Sequence, residues 1–466
     1  MPTAQIPSER QTLATTPHGF GCLALSVSVL FMVGCDRLPF VPTNDICGVD
    51  NPAAVVLPEA RWWKGNLHTH TLWSDGDDYP EMVVDWYKEH SYQFLGLSEH
   101  NNVMGDDDVW IEVSKSLGGM QAFRAYYERF ATGWVDKKEI DGSLFVRLKT
   151  FEELCSHLEE PNRFLLIRSQ EITDRIGTKQ VHVTATNLAD RIVPQGGGNV
   201  FEVLRNNAAA VTRQQQSTGR PILAHVNHPN LGWAVSVDDL IALRSVRFFE
   251  IYNGHPGAWN EGNDHHPSTE QMWDLVLTGR LTRGDDPVYA VAVDDAHNYH
   301  TLDARASNPG RGWVMVRARR LTPEAIILAM EDGSFYASTG VTLEEISVNG
   351  DQFALTIRPE PNVSYATLFI GTRWRDAGLD NSPPVTGQMR RVRNDAGVIF
   401  AEVAGTSPSY TLQDDQMYVR AKVISSKASA NSSRCVLRDS TSRCTAVSSE
   451  RHELEVAWTQ PHIPKR

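Results

Sequence analysis

"GNLHTHTLWSDG", residues 65–76, is the stretch on which the reading of the fold turns. In an extended strand, side chains two apart point to the same face, so His68 and His70 project together while Thr69 turns away. Asp75, in the Ser-Asp-Gly turn that follows, is free to bend back toward the same point. Two imidazoles and a carboxylate at one point make half of a metal site. The other half has to come from elsewhere in the chain.

It is supplied by a series of strand ends. From about Arg61 to about Gly340, apolar runs alternate with amphipathic stretches, the pattern of a parallel sheet covered by helices. "YQFLGLSEH" ends in Glu99 and His100, "FLLIRSQEI" ends beside Glu171, and His182 opens "VHVTATN". "PILAHVNH" carries His225 and His228, and "PVYAVAVDDAH" delivers Asp294, Asp295 and His297. "GNLHTH" and "RFFEIYN" complete the strand candidates, and strand ends that meet at one rim are the layout of a barrel enzyme. Three helices are expected from "PEMVVDWYKEH", with Pro80 at the first position, "NVFEVLRNNAAAVTRQQQS", and "TPEAIILAMEDG", with Thr322 as N-cap before Pro323. Imidazoles with carboxylates and no thiolate suit zinc, manganese or iron. So many candidates exceed what one tetrahedral ion can take, so two or three divalent ions are predicted. Such ions polarise a phosphoryl oxygen and bring the pKa of bound water to roughly 7.

Taken together and in this order, "HTHTLWSDG", "SEHNN", "SQEIT", "HVTATN", "HPN" and "DDAH" resemble the PHP family, the polymerase and histidinol phosphatase metallohydrolases. "EIYNGHPG" and "NHPNLGW" look closest to its CehA/McbA-like branch. The resemblance implies an α/β fold, a distorted (β/α)7 PHP-type barrel with two or three ions at its strand ends. By position, His68 and His70 would hold a first ion and Glu171 would bridge to another. Asp75 and His100 would serve a second ion, and His182 with a histidine of "HVNHP" a third. Asp295 and His297 would close the cluster. His228 is favoured because it directly precedes Pro229, as in the family's His-Pro pattern, and His225 is the alternative. Glu99 stands where the family usually has aspartate and is left outside the ligand set.

The implied activity is that of a metal-dependent hydrolase, foremost a phosphoesterase in which a metal-bridging hydroxide attacks phosphorus and no other catalytic side chain is needed. A small phosphorylated molecule is the expected substrate. The alternatives are a carbamate, ester or amide hydrolase with the same centre, and a non-catalytic, metal-stabilised surface binding protein. Glu250, Asn253 and His255 are candidates to line the pocket. Arg305 and Arg311, after the last metal motif, are candidates to grip phosphate bidentately, or else ordinary surface arginines.

The chain has 466 residues and a formal net charge of −13, which argues against a surface that tracks a nucleic-acid polymer. "GFGCLALSVSVLFMVGC" reads as an export signal too short for a comfortable membrane span. Met32-Val33-Gly34-Cys35 resembles the bacterial lipobox. Residues 1–35 are therefore read as a lipoprotein-type signal with Cys35 as the lipidated, membrane-anchoring residue facing the periplasm or cell exterior. Cleaved secretion and a retained anchor are the other readings. Residues 36–60 form a linker, 61–340 the barrel, with 103–162 as an insertion or lid, and 341–466 a small all-β, sandwich-like domain opened by a hairpin at Asn349-Gly350. None of the six cysteines falls in a Cys-x-x-Cys pair, and export would let Cys435 pair with Cys444.

Overall fold

The structure is a computed structural model that describes residues 58–464, apart from 107, 132, 378–395, 430–434, 439–443 and 448–452. The signal-like segment with Cys35, and the side chains of Cys435 and Cys444, lie outside the described residues. Among the described residues no helix is long and apolar enough to cross a membrane.

One sheet of thirteen strands runs through the molecule. Its first part follows the spatial order Tyr289–Val293, Phe248–Asn253, Leu223–Val226, Lys179–Thr186, Leu165–Ile176, Phe94–Leu97 and Arg61–Asn66. Phe94–Leu97, Phe248–Asn253 and Tyr289–Val293 are buried at every residue, as continuous apolar runs covered on both faces should be. Gly65 sits opposite Phe94, and a Cβ there would fall 2.2 Å from the Phe94 ring, so only glycine lets these two strands pair.

This first part departs from the all-parallel pattern in one place, and beyond it Arg61–Asn66 pairs antiparallel with Trp313–Ala318. Lys179–Thr186 runs antiparallel to both its neighbours. It is joined to Leu165–Ile176 by the two residues Gly177 and Thr178, with Gly177 at φ 61°. A link that short can return the chain only as a hairpin, whereas a parallel partner needs a crossover. Nor does a ladder join the edge strand Tyr289–Val293 to Arg61–Asn66. The two strands meet beyond their ends, in the parallel bridge Thr69↔Ala296, where His70 N–H donates to Ala296 O (3.0 Å) and Asp295 N–H to His68 O (3.0 Å). That junction lies among the predicted ligands.

The helices start where the sequence places them. Pro80–Glu89 opens with proline, Asn199 caps Val200–Thr218 by accepting from Glu202 N–H, and Thr322 caps Pro323–Glu331 by accepting from Ala325 N–H. Residues 103–162 form a three-stranded antiparallel sheet (Trp110–Glu112, Ser143–Arg147, Lys137–Ile140) with the helix Gly119–Phe130. They are pinned to Pro80–Glu89 by Glu81, whose buried carboxylate accepts from Tyr126 Oη and Trp134 Nε1, both at 2.6 Å.

After Gly340 the sheet continues. Phe335–Ser338 pairs with Leu454–Thr459, which leads to Gln416–Ala428, Tyr365–Arg373 and Val398–Ala404. The hairpin Leu343–Asn349/Gln352–Ile357 turns through Gly350 and Asp351, one residue later than the Asn-Gly pair predicts. A buried ion pair ties these strands to the helix Thr269–Thr282, with Arg420 Nε and Nη2 donating to the two Asp274 oxygens at 2.9 and 2.6 Å.

Candidate metal centre

The predicted ligands reach one place by two routes: His68, His70, His100, His228, Asp295 and His297 follow the ends of their strands, whereas Glu171 and His182 lie within the hairpin of Leu165–Ile176 and Lys179–Thr186, which runs on past them. His68 and His70 follow Arg61–Asn66 on extended backbone flanking Thr69, and their rings lie 5.1 Å apart. Three carboxylates act as hubs. Glu171 lies 2.8 Å from His100 Nδ1, 2.8 Å from His182 Nδ1, 3.3 Å from His228 Nε2, and 3.5 Å from both His68 Nε2 and His70 Nε2. Asp295 Oδ1 is 3.2 Å from the same two nitrogens of His68 and His70 and 3.6 Å from His297 Nδ1. Asp75 bends back as its turn allows, 3.3 Å from His100, 3.2 Å from His297 and 3.6 Å from His70. All nine residues of the predicted set are therefore brought together.

The sequence reading left out Glu250 as a ligand. Its Oε1 is 2.7 Å from His68 Nδ1 and 3.2 Å from His225 Nε2, and the three side chains form a metal-capable group of their own. The other such groups are His70 with Asp75, His100 and His297; His68 with His70 and Glu171; and His100 with Glu171 and His182. His225 and His228 are both present, His225 beside Glu250 and His228 beside Glu171. Asn227, between them, was also missed. Its amide donates to Glu171 Oε1 (2.7 Å) and Thr184 Oγ1 (2.9 Å) and fixes the Glu171 carboxylate. A polar residue inside the "HVNHP" run was the available signal.

Electrostatics favour cations. Burial pushes the Glu171 carboxyl up, but His182, His68 and His100 outweigh it and hold the group well below the usual carboxylate range. Asp295 is held down in the same way, its burial outweighed chiefly by His68 and His70. Burial first, and then His297, bring His70 down to about 3, so its imidazole is neutral, the form that binds a metal. His68 Nε2 and His70 Nε2 are buried and make no well-formed hydrogen bond, each facing only carboxylate oxygens, with Asp295 Oδ1 at 3.2 Å and Glu171 at 3.5 Å. A buried polar atom left unpaired is costly, and divalent ions between these nitrogens and carboxylates would satisfy both. The donor set fits the ions predicted from the sequence. Asp295 also holds a left-handed backbone, φ 50°, of the strained kind that collects at functional sites.

The proposed substrate contacts need correction. Asn253 is fully buried, and its amide donates to Glu250 Oε2 (2.8 Å) and Asp295 Oδ2 (3.0 Å), so it orients carboxylates and does not face substrate. Arg311 is also fully buried. Its Nη1 donates to the carbonyls of Gly254 and Ala306, and its Nη2 to the Asp303 carbonyl and the Asn308 side chain. A guanidinium committed at four N–H groups cannot also clamp a phosphate. Arg305 is exposed and holds Asp303 through Nε and Nη2 at 3.1 and 2.8 Å. His255 is half-buried with its ring 5.8 Å from that of His297, and it remains at the rim.

No protein-family model matches the chain, and no curated protein matches it. Its structural neighbours include PHP-like metal-dependent phosphoesterases of low sequence identity. One is a two-domain protein from Bacteroides vulgatus containing a predicted PHP-like metal-dependent phosphoesterase, 14% identical over 83% of this chain and 96% of that one, with a TM-score of 0.38. Another is a proposed metal-dependent phosphoesterase from Bifidobacterium adolescentis, 12% identical over 50% of this chain and 87% of that one, TM-score 0.25. An amidohydrolase from Chromobacterium violaceum, solved with sulfate, is 13% identical over 51% and 88%, TM-score 0.25.

Proposed function

We propose that the protein is a metal-dependent hydrolase of the PHP type, on its CehA/McbA-like branch, and foremost a phosphoesterase acting on a small phosphorylated molecule. The observation that carries this reading is the convergence of seven histidines on Glu171, Asp295, Asp75 and Glu250, with buried nitrogens left to face a common point. His68, His70, Asp75, His100, Glu171, His182, His225 or His228, Glu250, Asp295 and His297 would hold two or three divalent ions of zinc, manganese or iron. When bound, such ions polarise the scissile group and supply a nucleophile from water near neutral pH. The chain's own part is to fix the geometry. Asn227 and Asn253 aim the carboxylates, and Glu250 orients His68 through Nδ1 so that Nε2 faces inward.

On this reading the curled sheet is a distorted (β/α)7-type barrel, and residues 341–466 are a β domain built onto it. Cys35 anchors the mature protein to a membrane outside the cytoplasm. Metal content of the protein expressed from residue 36, with hydrolysis of phosphomonoester, phosphodiester and carbamate panels, tests the function. Two or three ions per chain, with turnover lost in His68→Ala, is the expected result. Turnover of carbamates alone would move the reading to a carbonyl-directed hydrolase, and less than one ion per chain after reconstitution would sink it.

A further inference from the structure

Among the histidines around the centre, His255 is wired differently. His68, His70, His100, His182, His225, His228 and His297 each bring a ring nitrogen to a carboxylate. At His255 the Nδ1 atom instead accepts a hydrogen bond from the backbone N–H of Gly257, at 2.9 Å. A ring nitrogen that accepts carries no proton, so the neutral imidazole keeps its proton on Nε2.

Two further contacts hold the ring in this state. The His255 backbone N–H donates to Asn253 Oδ1 at 2.7 Å, and the amide of Asn253 holds Glu250 and Asp295. The orientation of His255 is thereby referenced to the ligand carboxylates. Gly257 has to be glycine for the turn to close so tightly, because a Cβ there would lie 2.8 Å from His255 Nδ1. The ring stands edge-to-face against His297, 5.8 Å between centroids, and is half-buried, so it is open to a molecule entering the centre. With one nitrogen occupied by a donor and the other protonated, the ring has no lone pair to give a metal.

We propose that His255 is a substrate-binding residue that leaves the ions to its neighbours and donates its Nε2–H to a phosphoryl oxygen of the substrate. This rests on the phosphoesterase reading above. A neutral donor fixed before substrate arrives orients the anionic group without adding a charge that would compete with the ions.

The test compares His255→Gln, which keeps an N–H near the Nε2 position, with His255→Leu, which removes it, both in the metal-loaded full protein. Ion content should equal wild type in both. Binding of inorganic phosphate, read by calorimetry, should weaken roughly 10- to 100-fold in His255→Leu, the worth of one hydrogen bond to a charged group, and largely recover in His255→Gln. Loss of an ion in His255→Leu, or unchanged phosphate binding there, overturns the proposal. Nitrogen-15 spectra of the histidine side chains, with His255 assigned by its disappearance in His255→Gln, add a readout independent of turnover. The Nε2–H tautomer is expected with or without ions, and an Nδ1–H ring overturns the proposal in either state. A wild-type protein that holds its ions and shows this tautomer but does not bind phosphate would instead sink the phosphoester reading and with it the assigned ligand.

Discussion

Glu171→Gln is the substitution on which the description of the centre depends most heavily. Glutamine keeps the volume of a side chain that is only 1% exposed, but it removes a charge that five imidazoles face within 3.5 Å. Glu171 belongs to two of the four metal-capable groups, whereas Asp75 and Glu250 each belong to one. Even loss of a partner outside the ligand set typically weakens metal binding by about 10- to 100-fold. Glu171→Gln should therefore weaken it by more than about 100-fold and lower the bound stoichiometry, where Asp75→Asn removes one ion at most.

In the metal-free protein the same change takes the anion out of a buried network, at a cost of about 3–5 kcal/mol. Spread over the unfolding entropy of a unit the size of Leu57–Arg466, this corresponds to a Tm lowered by about 4–6 °C. The sign with pH follows from the carboxyl being held below its ordinary range in the folded protein. Its contribution is complete above the unfolded carboxylate pKa of about 4.3 and is lost as pH falls through the folded value. The Tm difference between wild type and variant should thus be full at pH 7 and shrink in acid. Calorimetry with and without chelator measures it. Wild-type ion content and an unchanged Tm in Glu171→Gln would refute the placement of this carboxylate at the hub.

Four other outcomes are expected. Burial lowers the pKa of His100, but Glu171 and Asp75 outweigh burial and carry it up to about 11, so it is a cation in the metal-free protein at pH 7 and has to shed its proton to bind an ion. Metal binding should release protons and tighten as pH rises from 6 to 8, and titrations in buffers of different ionisation enthalpy would show it. Arg305→Ala should leave KM and Tm unchanged, as for an exposed ion pair, while Arg311→Lys should destabilise the fold by roughly 3 kcal/mol or more because several carbonyls lose their donor. A phosphate-specific rise in KM for Arg305→Ala would restore the gripping role. Arg420→Met strands Asp274 in the interior and should cost about 3–5 kcal/mol, read as a lower Tm, with ion content intact at low temperature.

Local rules made much of the centre legible in the sequence. His68 and His70 share a face because they are two apart on extended chain, Asp75 returns because a turn follows, and Asp295 and His297 stand where an apolar run stops. The sequence places Glu250 in the pocket wall together with Asn253, although in a regular strand residues three apart face opposite ways and the two would be separated. The pairing of Phe248–Asn253 with Tyr289–Val293 has a register shift that matches Glu250 to Val291 and Tyr252 to Ala292, leaving Ile251 as an extra residue. The bulge reverses the alternation, so Asn253 turns back to the face of Glu250 and donates to it. Phe248 packs in the cluster with Phe94 and Val293, while Phe249, Ile251 and Tyr252 pack in the one with Trp273, as that reversal requires. Nothing in "FFEIYN" marks the extra residue, since all six side chains are buried and hydrophobic alternation is absent. Arg311 was misread for a related reason. An arginine after a metal motif has the right chemistry for a phosphate clamp, but whether its N–H groups face a cavity or the carbonyls of its own loop is decided by the closure of residues 303–311 around it, which the pattern of residues does not encode.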